Sequence, residues 1–380
     1  MSRILPGATL GILGGGQLGR MTAMAARALG YHIHALDPDP SCAARFVVER
    51  CIHAAFDDDF AAADLARHCA VVTLEIESVA LASLDAARRY APVRPSREVL
   101  AVVQNRTRQK QWLASRGYPL GPWRAVTTVE ELEAAARELG AELFVKHNTG
   151  GYDGRGQARL GSPAGARAVW ELLGASPCVA ERPLDIAAEL SVLVARSPSG
   201  ETAVYPAALN HHEDRILAWS VLPAPVPLEL TRRAEEIARS VAQDLQVEGL
   251  LVVELFHTRG GELFVNELAP LPHNSFHATE VACLTSQFEQ CVRAVCDLPL
   301  GSTEVLRPAA IRNLLGDLWL GAAPPRFADA LALPGVRVHL YGKRVARPGR
   351  KMGHLSAVGP TSAEAVARVE EAYARLTDTA

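Results

Sequence analysis

The chain has few of the features that mark membrane, nucleic-acid-binding or secreted proteins. Aromatic residues make up only 6% of its 380 residues, and the formal net charge is −3. So small a charge gives no bulk attraction to nucleic acid or to an anionic membrane surface. No apolar run reaches the ~20 residues that a membrane-spanning helix needs. We therefore predict a globular protein that acts on small molecules, with no nucleic-acid or membrane partner.

The seven cysteines form no recognisable pattern. None stands in a Cys-x-x-Cys pair, and their number is odd, so neither a zinc motif nor a disulfide framework is indicated. We see no N-terminal targeting pattern and expect a cytoplasmic protein. The length exceeds the size at which a single core stays compact, so two or three domains are expected.

Strands and helices alternate in the first hundred residues. Apolar strands are predicted at 9–13, 32–36 and 70–74, with an alanine-rich helix at 18–29. This order is typical of a parallel sheet with helices on both faces. A polar helix is predicted at 96–116, before a turn-rich boundary at 117–122. Further strands are predicted at 143–146, 178–181, 190–195, 250–256, 262–266 and 336–341, and further helices at 130–139, 231–244 and 362–376.

A first glycine-rich loop follows the first strand. Residues 14–19 read Gly-Gly-Gly-Gln-Leu-Gly and fit the G-x-G-x-x-G pattern, and Asp37 ends the next strand. Backbone N–H groups at a helix N-terminus can hold any phosphate or small anion. Three interpretations stay open at this point: a nicotinamide cofactor, another phosphorylated ligand, or a structural turn.

A second glycine-rich loop follows Lys146, which ends an apolar strand. Four glycines stand between Gly150 and Gly156, so the backbone can fold over phosphates while the lysine supplies a positive charge. The spacing differs from Walker A, which needs Gly-Lys-Ser/Thr inside the loop. The pattern favours a lid over a nucleotide, and a solvated hairpin is the alternative.

Two carboxylates stand in strongly apolar strands. Glu254 lies within the run 250–256, and Glu267 follows Asn266 at the end of the next strand. A charged group in such a strand needs a partner. Adjacent antiparallel strands would bring these groups together, and oxygen ligands of this kind suit Mg²⁺ shared with phosphates. Together with Lys146, the pair indicates a Mg-ATP-dependent ligase.

Polar residues continue directly after this pair and near the C-terminus. The irregular loop 270–277 carries two histidines with Asn274 and Ser275, which we interpret as substrate contacts rather than as zinc ligands. A basic cluster at 341–354 is either solvated surface or a phosphate clamp for a small substrate.

The chain resembles the ATP-grasp superfamily and, within it, the 5-(carboxyamino)imidazole ribonucleotide synthase family, over residues 9 to 354. The resemblance rests on matches at separate points of the sequence. They are the runs 14–20, Glu75-x-Glu77, 151–157, 189–191, 266–270, 273–275, 286–289 and 349–354.

The resemblance implies an α/β fold. A Rossmann-like N-terminal domain (1–105) would precede an ATP-grasp domain (106–300) with a lid at about 118–183. A short C-terminal module (301–380) would complete the chain. The implied activity is that of an ADP-forming carbon–nitrogen ligase of purine biosynthesis. It would convert ATP and bicarbonate to carboxyphosphate and then carboxylate the exocyclic amine of 5-aminoimidazole ribonucleotide. The family expectation for assembly is a homodimer.

The resemblance also implies a role for individual residues. The residues implied at ATP are Arg106, Lys146, Gly151, Tyr152, Asp153, Gly154, Arg155, Gly156, Gln157, Glu181, Arg182, Pro183, Leu184, Glu189, His212, Asn266 and Glu267. Those implied at the ribonucleotide are Gln17, Leu18, Glu75, Tyr152, Asp153, Arg155, His273, Asn274, Ser275, Lys343 and Arg350. The implied catalytic groups are Lys146, Glu75, Tyr152, Arg155 and His273, and Glu254 and Glu267 would hold one or two Mg²⁺ ions.

The sequence departs from the family pattern in three places. Leu271 stands where the family usually has Arg, and leucine cannot replace a bidentate cation beside bicarbonate. Phe276 stands where the family usually has Gly, and its ring is expected to fill part of the substrate pocket. Residues 147–149 replace residues that are often basic. The alternatives are therefore a neighbouring cation that compensates, a different acceptor, or a nucleotide-binding protein with reduced catalysis.

Overall fold

The computed structural model describes residues 3–150, 156–321 and 323–377. Its N-terminal part is a four-stranded parallel sheet in the order β3-β2-β1-β4, with helices packed against it. The strands are β1 (Thr9–Leu13), β2 (His32–Asp37), β3 (Arg50–His53) and β4 (Val71–Leu74), and the helices are α1 (Gln17–Ala28), α2 (Asp59–Arg67) and α3 (Leu81–Arg88). This confirms the predicted Rossmann-like α/β arrangement.

The prediction of one polar helix at 96–116 was wrong. Two helices stand there, α4 (Arg97–Val103) and α5 (Arg106–Ser115). Asn105 between them has an extended backbone, and its side chain accepts a hydrogen bond from the Arg108 N–H at 2.9 Å. Asparagine competes with the helical backbone in this way and favours a helix start. The break places Arg106 at the first position of α5.

A small antiparallel sheet follows. Its strands run in the order β5-β8-β6-β7, and two helices pack against it around a core of their own. The strands are β5 (Trp123–Val126), β6 (Leu143–His147), β7 (Gln157–Leu160) and β8 (Cys178–Glu181), and the helices are α6 (Val129–Leu139) and α7 (Ala166–Leu172). Lys146 near the end of β6 and Glu181 at the end of β8 lie on the two inner strands of this sheet, which are antiparallel neighbours.

The rest of the chain forms one nine-stranded sheet in the order β14-β13-β9-β11-β12-β15-β17-β16, with β10 beside β9. Its strands are β9 (Ile186–Arg196), β10 (Thr202–Val204), β11 (Ala208–Glu213), β12 (Ile216–Leu222), β13 (Gly249–Thr258), β14 (Leu263–Ala269), β15 (Ala309–Leu315), β16 (Val336–Leu340) and β17 (Lys351–Val358). Its helices are α8 (Leu228–Asp244), α9 (Thr279–Ala282), α10 (Gln287–Val295), α11 (Phe327–Leu331) and α12 (Ser362–Thr377).

The strands after residue 300 belong to the same large sheet as β9 to β14 before it. β12 pairs with β15 from Trp219 opposite Arg312 to Leu222 opposite Ala309, so the large sheet continues past the expected boundary at residue 300. Part of the predicted basic cluster lies in β17, a largely buried strand of that sheet. Within the described residues, no helix is both long and apolar enough to cross a membrane.

Candidate active site

The predicted carboxylate pair is present. β13 and β14 are antiparallel neighbours, and Glu254 lies directly opposite Glu267 in their register. The Asn266 side-chain amide donates to Glu254 at 3.2 Å. A bulge follows Glu254 and interrupts the ladder at this point. The antiparallel pairing predicted for these two apolar strands therefore brings Glu254 and Glu267 together.

Two further residues complete this cluster. The Arg106 guanidinium lies 2.6 Å from a Glu267 carboxylate oxygen. Glu77, which follows the end of β4, lies close enough to Glu267, Arg106 and Glu254 for their charges to act on it. Sequence reasoning gave Glu77 no role, although the Glu75-x-Glu77 spacing directly after a buried strand was the available signal.

Two carboxyl groups of this cluster, those of Glu254 and Glu77, have raised pKa values. Burial and the neighbouring Glu267 charge raise the pKa of Glu254 to about 7. Burial, again with Glu267, raises the pKa of Glu77 to about 8, although Arg106 acts in the opposite direction. Acidic groups that repel one another in this way favour a bound cation, which would remove the repulsion. The oxygen donors of Glu254 and Glu267 fit Mg²⁺, whose ligands are carboxylates and phosphates.

A second charged cluster joins the two inner strands of the small sheet to α5. Glu181 receives two lysines, with Lys146 Nζ and Lys110 Nζ each 2.6 Å from one of its oxygens. Burial alone would raise the pKa of Glu181, but the two ammonium groups outweigh it and hold that pKa at about 2. Glu181 therefore fixes the position of the Lys146 charge. Lys110 was not predicted, because its position in the polar helix α5 gave no signal.

The segment after Glu181 borders a cavity of about 420 Å³. Arg182, Pro183 and Leu184 line it together with Pro122 and Phe264. Its walls are thus partly apolar and lie between the small sheet and the β13–β14 hairpin. Two other predicted ATP-binding residues lie on the large sheet and contact each other: His212 Nδ1 on β11 is 2.8 Å from a Glu189 carboxylate oxygen on β9.

The loop after β14 is held by hydrogen bonds in a fixed shape. His273 Nε2 lies 3.3 Å from Glu254, and its Nδ1 lies 2.7 Å from the Ser275 hydroxyl. The Gln287 side chain both accepts from the His273 N–H and donates to the His273 carbonyl, at 2.8 Å each. Gln287 lies in the family-like run 286–289, but sequence reasoning assigned it no role and missed this positioning contact.

Asn274 in the same loop has an unsatisfied side chain. It is only 7% exposed, and neither its amide nitrogen nor its carbonyl oxygen has a hydrogen-bond partner among the described residues. A buried amide without partners costs about 1–3 kcal/mol. A bound polar ligand would supply those partners, which supports the predicted substrate contact at Asn274.

The first glycine loop is occupied by carboxylates of the chain itself. Asp37 accepts from the Gly15 N–H at 2.6 Å, and Glu75 accepts from the Gly16 and Gly19 N–H groups at 2.7 and 2.9 Å. A Cβ at Gly16 would lie 2.6 Å from a Glu75 oxygen, so that glycine is required by the carboxylate. The N–H groups that would hold a pyrophosphate are therefore taken, and the nicotinamide interpretation is wrong.

Lys343 joins this loop from the far end of the chain. Its Nζ donates to the Gln17 side chain at 2.5 Å and to the Lys351 carbonyl at 2.7 Å. Two predicted ribonucleotide contacts are thus neighbours. Leu18 instead packs against the apolar cluster of Met21, Phe288 and Tyr341. Arg350 donates to the Val345 carbonyl at 2.8 Å, and its role stays a prediction.

The remaining predicted residues divide into three groups. Gly151 to Arg155 lie outside the described residues, so their predicted roles stay predictions. Gln157 pairs with Lys146 in the strand register, and the Gly156 carbonyl accepts from the His147 N–H at 2.9 Å. The third group is the two residues that depart from the family pattern, and Leu271 is buried, with 8% of its surface exposed.

The expectation for Phe276 was wrong, because its ring is fully buried against Tyr205 in the core and fills no substrate pocket.

A pH dependence follows from Glu75. Burial raises its pKa to about 7, because the Gly19 and Gly16 hydrogen bonds offset only part of the desolvation. A carboxyl whose folded pKa is raised contributes stability below its unfolded pKa of ~4.5, and that contribution is lost as the pH rises to 7. We expect wild-type stability to fall relative to Glu75→Gln between pH 4.5 and 7, measured by urea unfolding. Parallel curves for the two proteins would contradict this assignment.

Comparisons with protein families define the class. The ATP-grasp domain model matches residues 111–288, and the ribonucleotide synthetase preATP-grasp domain model matches residues 7–104. The phosphoribosylaminoimidazole carboxylase C-terminal domain model matches residues 309–368. With the lysine and carboxylate clusters just described, the fold is that of an ATP-grasp ligase.

Individual relatives narrow this class. The N5-carboxyaminoimidazole ribonucleotide synthase of Brucella melitensis is 40% identical over 357 residues, 93% of this chain and 97% of the relative. The crystal structure of the ADP complex of an N5-carboxyaminoimidazole ribonucleotide synthetase is 40% identical, with a TM-score of 0.92 over 98% of both chains. An Aspergillus clavatus synthase in complex with ADP and 5-aminoimidazole ribonucleotide is 31% identical, with a TM-score of 0.88 over 98% of this chain and 99% of that one. The chain belongs to the N5-carboxyaminoimidazole ribonucleotide synthase family, which confirms the family predicted from its motifs.

Proposed function

We propose that the protein uses Mg-ATP and bicarbonate to carboxylate the exocyclic amine of 5-aminoimidazole ribonucleotide. The observation that carries this proposal is the Glu254–Glu267 pair, which lies beside a loop whose Asn274 amide has no partner within the described residues. One half of the site is thus suited to a metal nucleotide and the other to a polar acceptor. The expected setting is a cytoplasmic homodimer acting in purine biosynthesis.

The nucleotide is proposed to bind between the small sheet and the large sheet. The partly apolar cavity lined by Pro122, Leu184 and Phe264 suits a flat heterocycle. Lys146, held by Glu181, would place its ammonium group at the phosphates. The metal ion would neutralise phosphate charge, and Glu254 and Glu267 would hold it. Phosphoryl transfer depends mostly on such positioning and charge neutralisation.

The ribonucleotide is proposed to lie between the first glycine loop and the loop 273–275. Lys343 and Gln17 would contact the phosphate of the ribonucleotide. The Asn274 side-chain amide, which has no partner among the described residues, would form hydrogen bonds with the same ligand. Glu75 and His273 would border the reacting amine. Tyr152, Asp153 and Arg155 are proposed to close over the ligands and exclude water, which would hydrolyse an acyl phosphate.

The proposed reaction has two steps. A bicarbonate oxygen attacks the γ-phosphorus and displaces ADP, which gives carboxyphosphate. The amine then attacks the carboxyl carbon, phosphate leaves, and a proton is lost from nitrogen. Because Leu271 supplies no cation, Arg106 beside Glu267 is proposed to provide the positive charge near the transferring group.

The test measures ADP release with ATP, Mg²⁺ and bicarbonate, with and without 5-aminoimidazole ribonucleotide. We expect release to depend on the ribonucleotide and on bicarbonate, because the intermediate is consumed only by the amine. Release that the ribonucleotide does not stimulate would instead support a different acceptor or a protein with reduced catalysis. A Leu271→Arg variant that gains activity would favour the second of these.

A further inference from the structure

Three potential metal ligands meet outside the site just described. Glu280 lies on α9, and His339 and His354 are cross-strand partners on β16 and β17. Their ligand atoms all lie within 4.8 Å of one another. Glu280 Oε2 is 3.9 Å from His339 Nδ1 and 3.8 Å from His354 Nε2. The proposed nucleotide and ribonucleotide sites use none of these three side chains.

The His354 ring is held in one orientation and is uncharged. Tyr341 Oη lies 2.8 Å from His354 Nδ1, which leaves Nε2 directed towards Glu280. An outer partner of this kind fixes the ring orientation of a metal-binding histidine, and the Tyr341 hydroxyl can accept from Nδ1–H when Nε2 binds a metal. Burial and the neighbouring His339 hold the pKa of His354 at about 3, so its ring is neutral at physiological pH. A neutral imidazole has a free lone pair for a metal ion.

Glu280 has no arginine or lysine in direct contact among the described residues, although the charge of the more distant Arg337 acts on its carboxyl. Within the described part of the chain, its ion-pair contacts are with the two histidines, and no lysine or arginine lies within 4.0 Å. Burial raises the pKa of its carboxyl to about 7. A further unsatisfied group lies behind the cluster, because His277 stacks on His354 at 4.7 Å and its Nε2 is buried without a hydrogen-bond partner there.

The cluster also has access to solvent. Glu280 and His339 line a cavity of about 320 Å³, whose other walls include Met21, Met24 and Phe288. His339 lies on β16, the outermost strand of the sheet, and its side chain is 23% exposed. An ion and its water ligands can therefore reach the cluster without unfolding of the core.

We propose that Glu280, His339 and His354 form a binding site for a divalent transition-metal ion, for which Zn²⁺ is the best match. Two imidazole nitrogens and one carboxylate with an open fourth position is a common zinc ligand set. The hard ion Mg²⁺ prefers oxygen ligands and is not expected here. The rings of His339 and His354 are nearly parallel, at 5.2 Å and 10°. Because a metal must lie in the plane of both rings, its binding would turn His339 out of this stack.

A bound ion would connect the C-terminal strands to the active-site loop. Glu280 lies on α9, directly after that loop, and the Gln287 side chain that holds His273 also lies 3.0 Å from His277 Nδ1. The metal would thus join α9, β16 and β17, and raise the thermal stability of the whole sheet edge by mass action.

The test is calorimetric titration of the full chain with zinc chloride alone, with cobalt absorption as a second readout. His339→Ala and Glu280→Gln should weaken zinc binding by at least ~10–100-fold, the cost of losing even an outer-shell partner. Glu254→Gln and His32→Ala should leave this binding unchanged. Glu254→Gln removes a proposed magnesium ligand, and His32 belongs to an exposed histidine–glutamate pair with Glu49.

The outcomes separate the alternatives. The proposed site is supported if His339→Ala and Glu280→Gln lose zinc affinity while the two control variants keep the wild-type zinc affinity. Absence of zinc binding by the wild type, equal binding by all variants, or loss only in Glu254→Gln would each overturn it. Both site variants leave the buried His354 in place. Tyr341→Phe is a milder change that removes only the hydroxyl beside His354, and it should lower zinc affinity by ~10–100-fold.

Discussion

Replacing Glu254 with glutamine is expected to lower kcat by about 10²–10³-fold, the typical cost of removing one group that stabilises developing charge. The amide has nearly the same shape, but it cannot offer a charged oxygen to the Mg²⁺ ion that Glu254 and Glu267 would hold. Glu254 faces Glu267 across β13 and β14, so the loss falls at the centre of the proposed phosphoryl-transfer site. The measurement is ribonucleotide-dependent ADP release at saturating substrates.

The same variant should not be less stable. The pKa of Glu254 is raised to about 7, so ionisation of this group costs stability as the pH rises from ~4.5 to 7. Glutamine removes that cost, and we expect the unfolding midpoint of the ligand-free protein at pH 8 to be retained or raised. Glu236→Gln on the exposed face of α8 is the matched control and should keep full activity. A Glu254→Gln enzyme within tenfold of wild-type kcat would contradict the proposed metal role.

Replacing Phe276 with alanine should destabilise the protein by about 3–5 kcal/mol, the usual cost of deleting a fully buried phenyl ring. The ring is 0% exposed and packs edge-to-face on Tyr205, with their centroids 6.2 Å apart. The resulting cavity would lie directly below the loop that carries His273, Asn274 and Ser275. The measurement is the free energy of unfolding from urea titration.

Phe60→Ala is the control for this prediction, because that ring is 91% exposed and its removal should change stability by less than ~0.5 kcal/mol. If Phe276→Ala lowers the free energy of unfolding as little as Phe60→Ala does, the Phe276 ring does not stabilise the core. We also expect the variant to lose affinity for the ribonucleotide, since the loop that carries Asn274 rests on this ring.

Local patterns predicted much of the fold and one half of the site. The strand Thr9–Leu13 was predicted with its observed bounds, because a short apolar run between turn residues has few alternatives. Glu254 and Glu267 were predicted as neighbours because two apolar strands joined by a short turn pair antiparallel. Lys146 and Glu181 were both predicted at strand ends, yet only the structure shows that they meet.

Other features depended on contacts between distant segments. Gln17 and Lys343 are 326 positions apart, and no local pattern connects them. The strands at 208–213 and 216–222 were not predicted, and the first residues of the strand at 351–358 were assigned to a basic cluster that was either solvated surface or a phosphate clamp. The role of Phe276 was wrong because a residue type alone does not indicate which side of a loop faces the core. The helix break at Asn105 was missed because a polar segment offers no periodicity to interrupt.

The pairing of β12 with β15 has a consequence for how the protein is made. During synthesis, the ribosome releases the strands up to β14 well before β15, so β12 initially ends the sheet as an open edge. An unpaired edge of this kind invites association with other chains. Lys343 likewise reaches Gln17 only when nearly the whole chain has left the ribosome. The last eighty residues therefore have two effects: β15 covers the open edge of β12 and protects it against aggregation, and Lys343 completes the contact with Gln17.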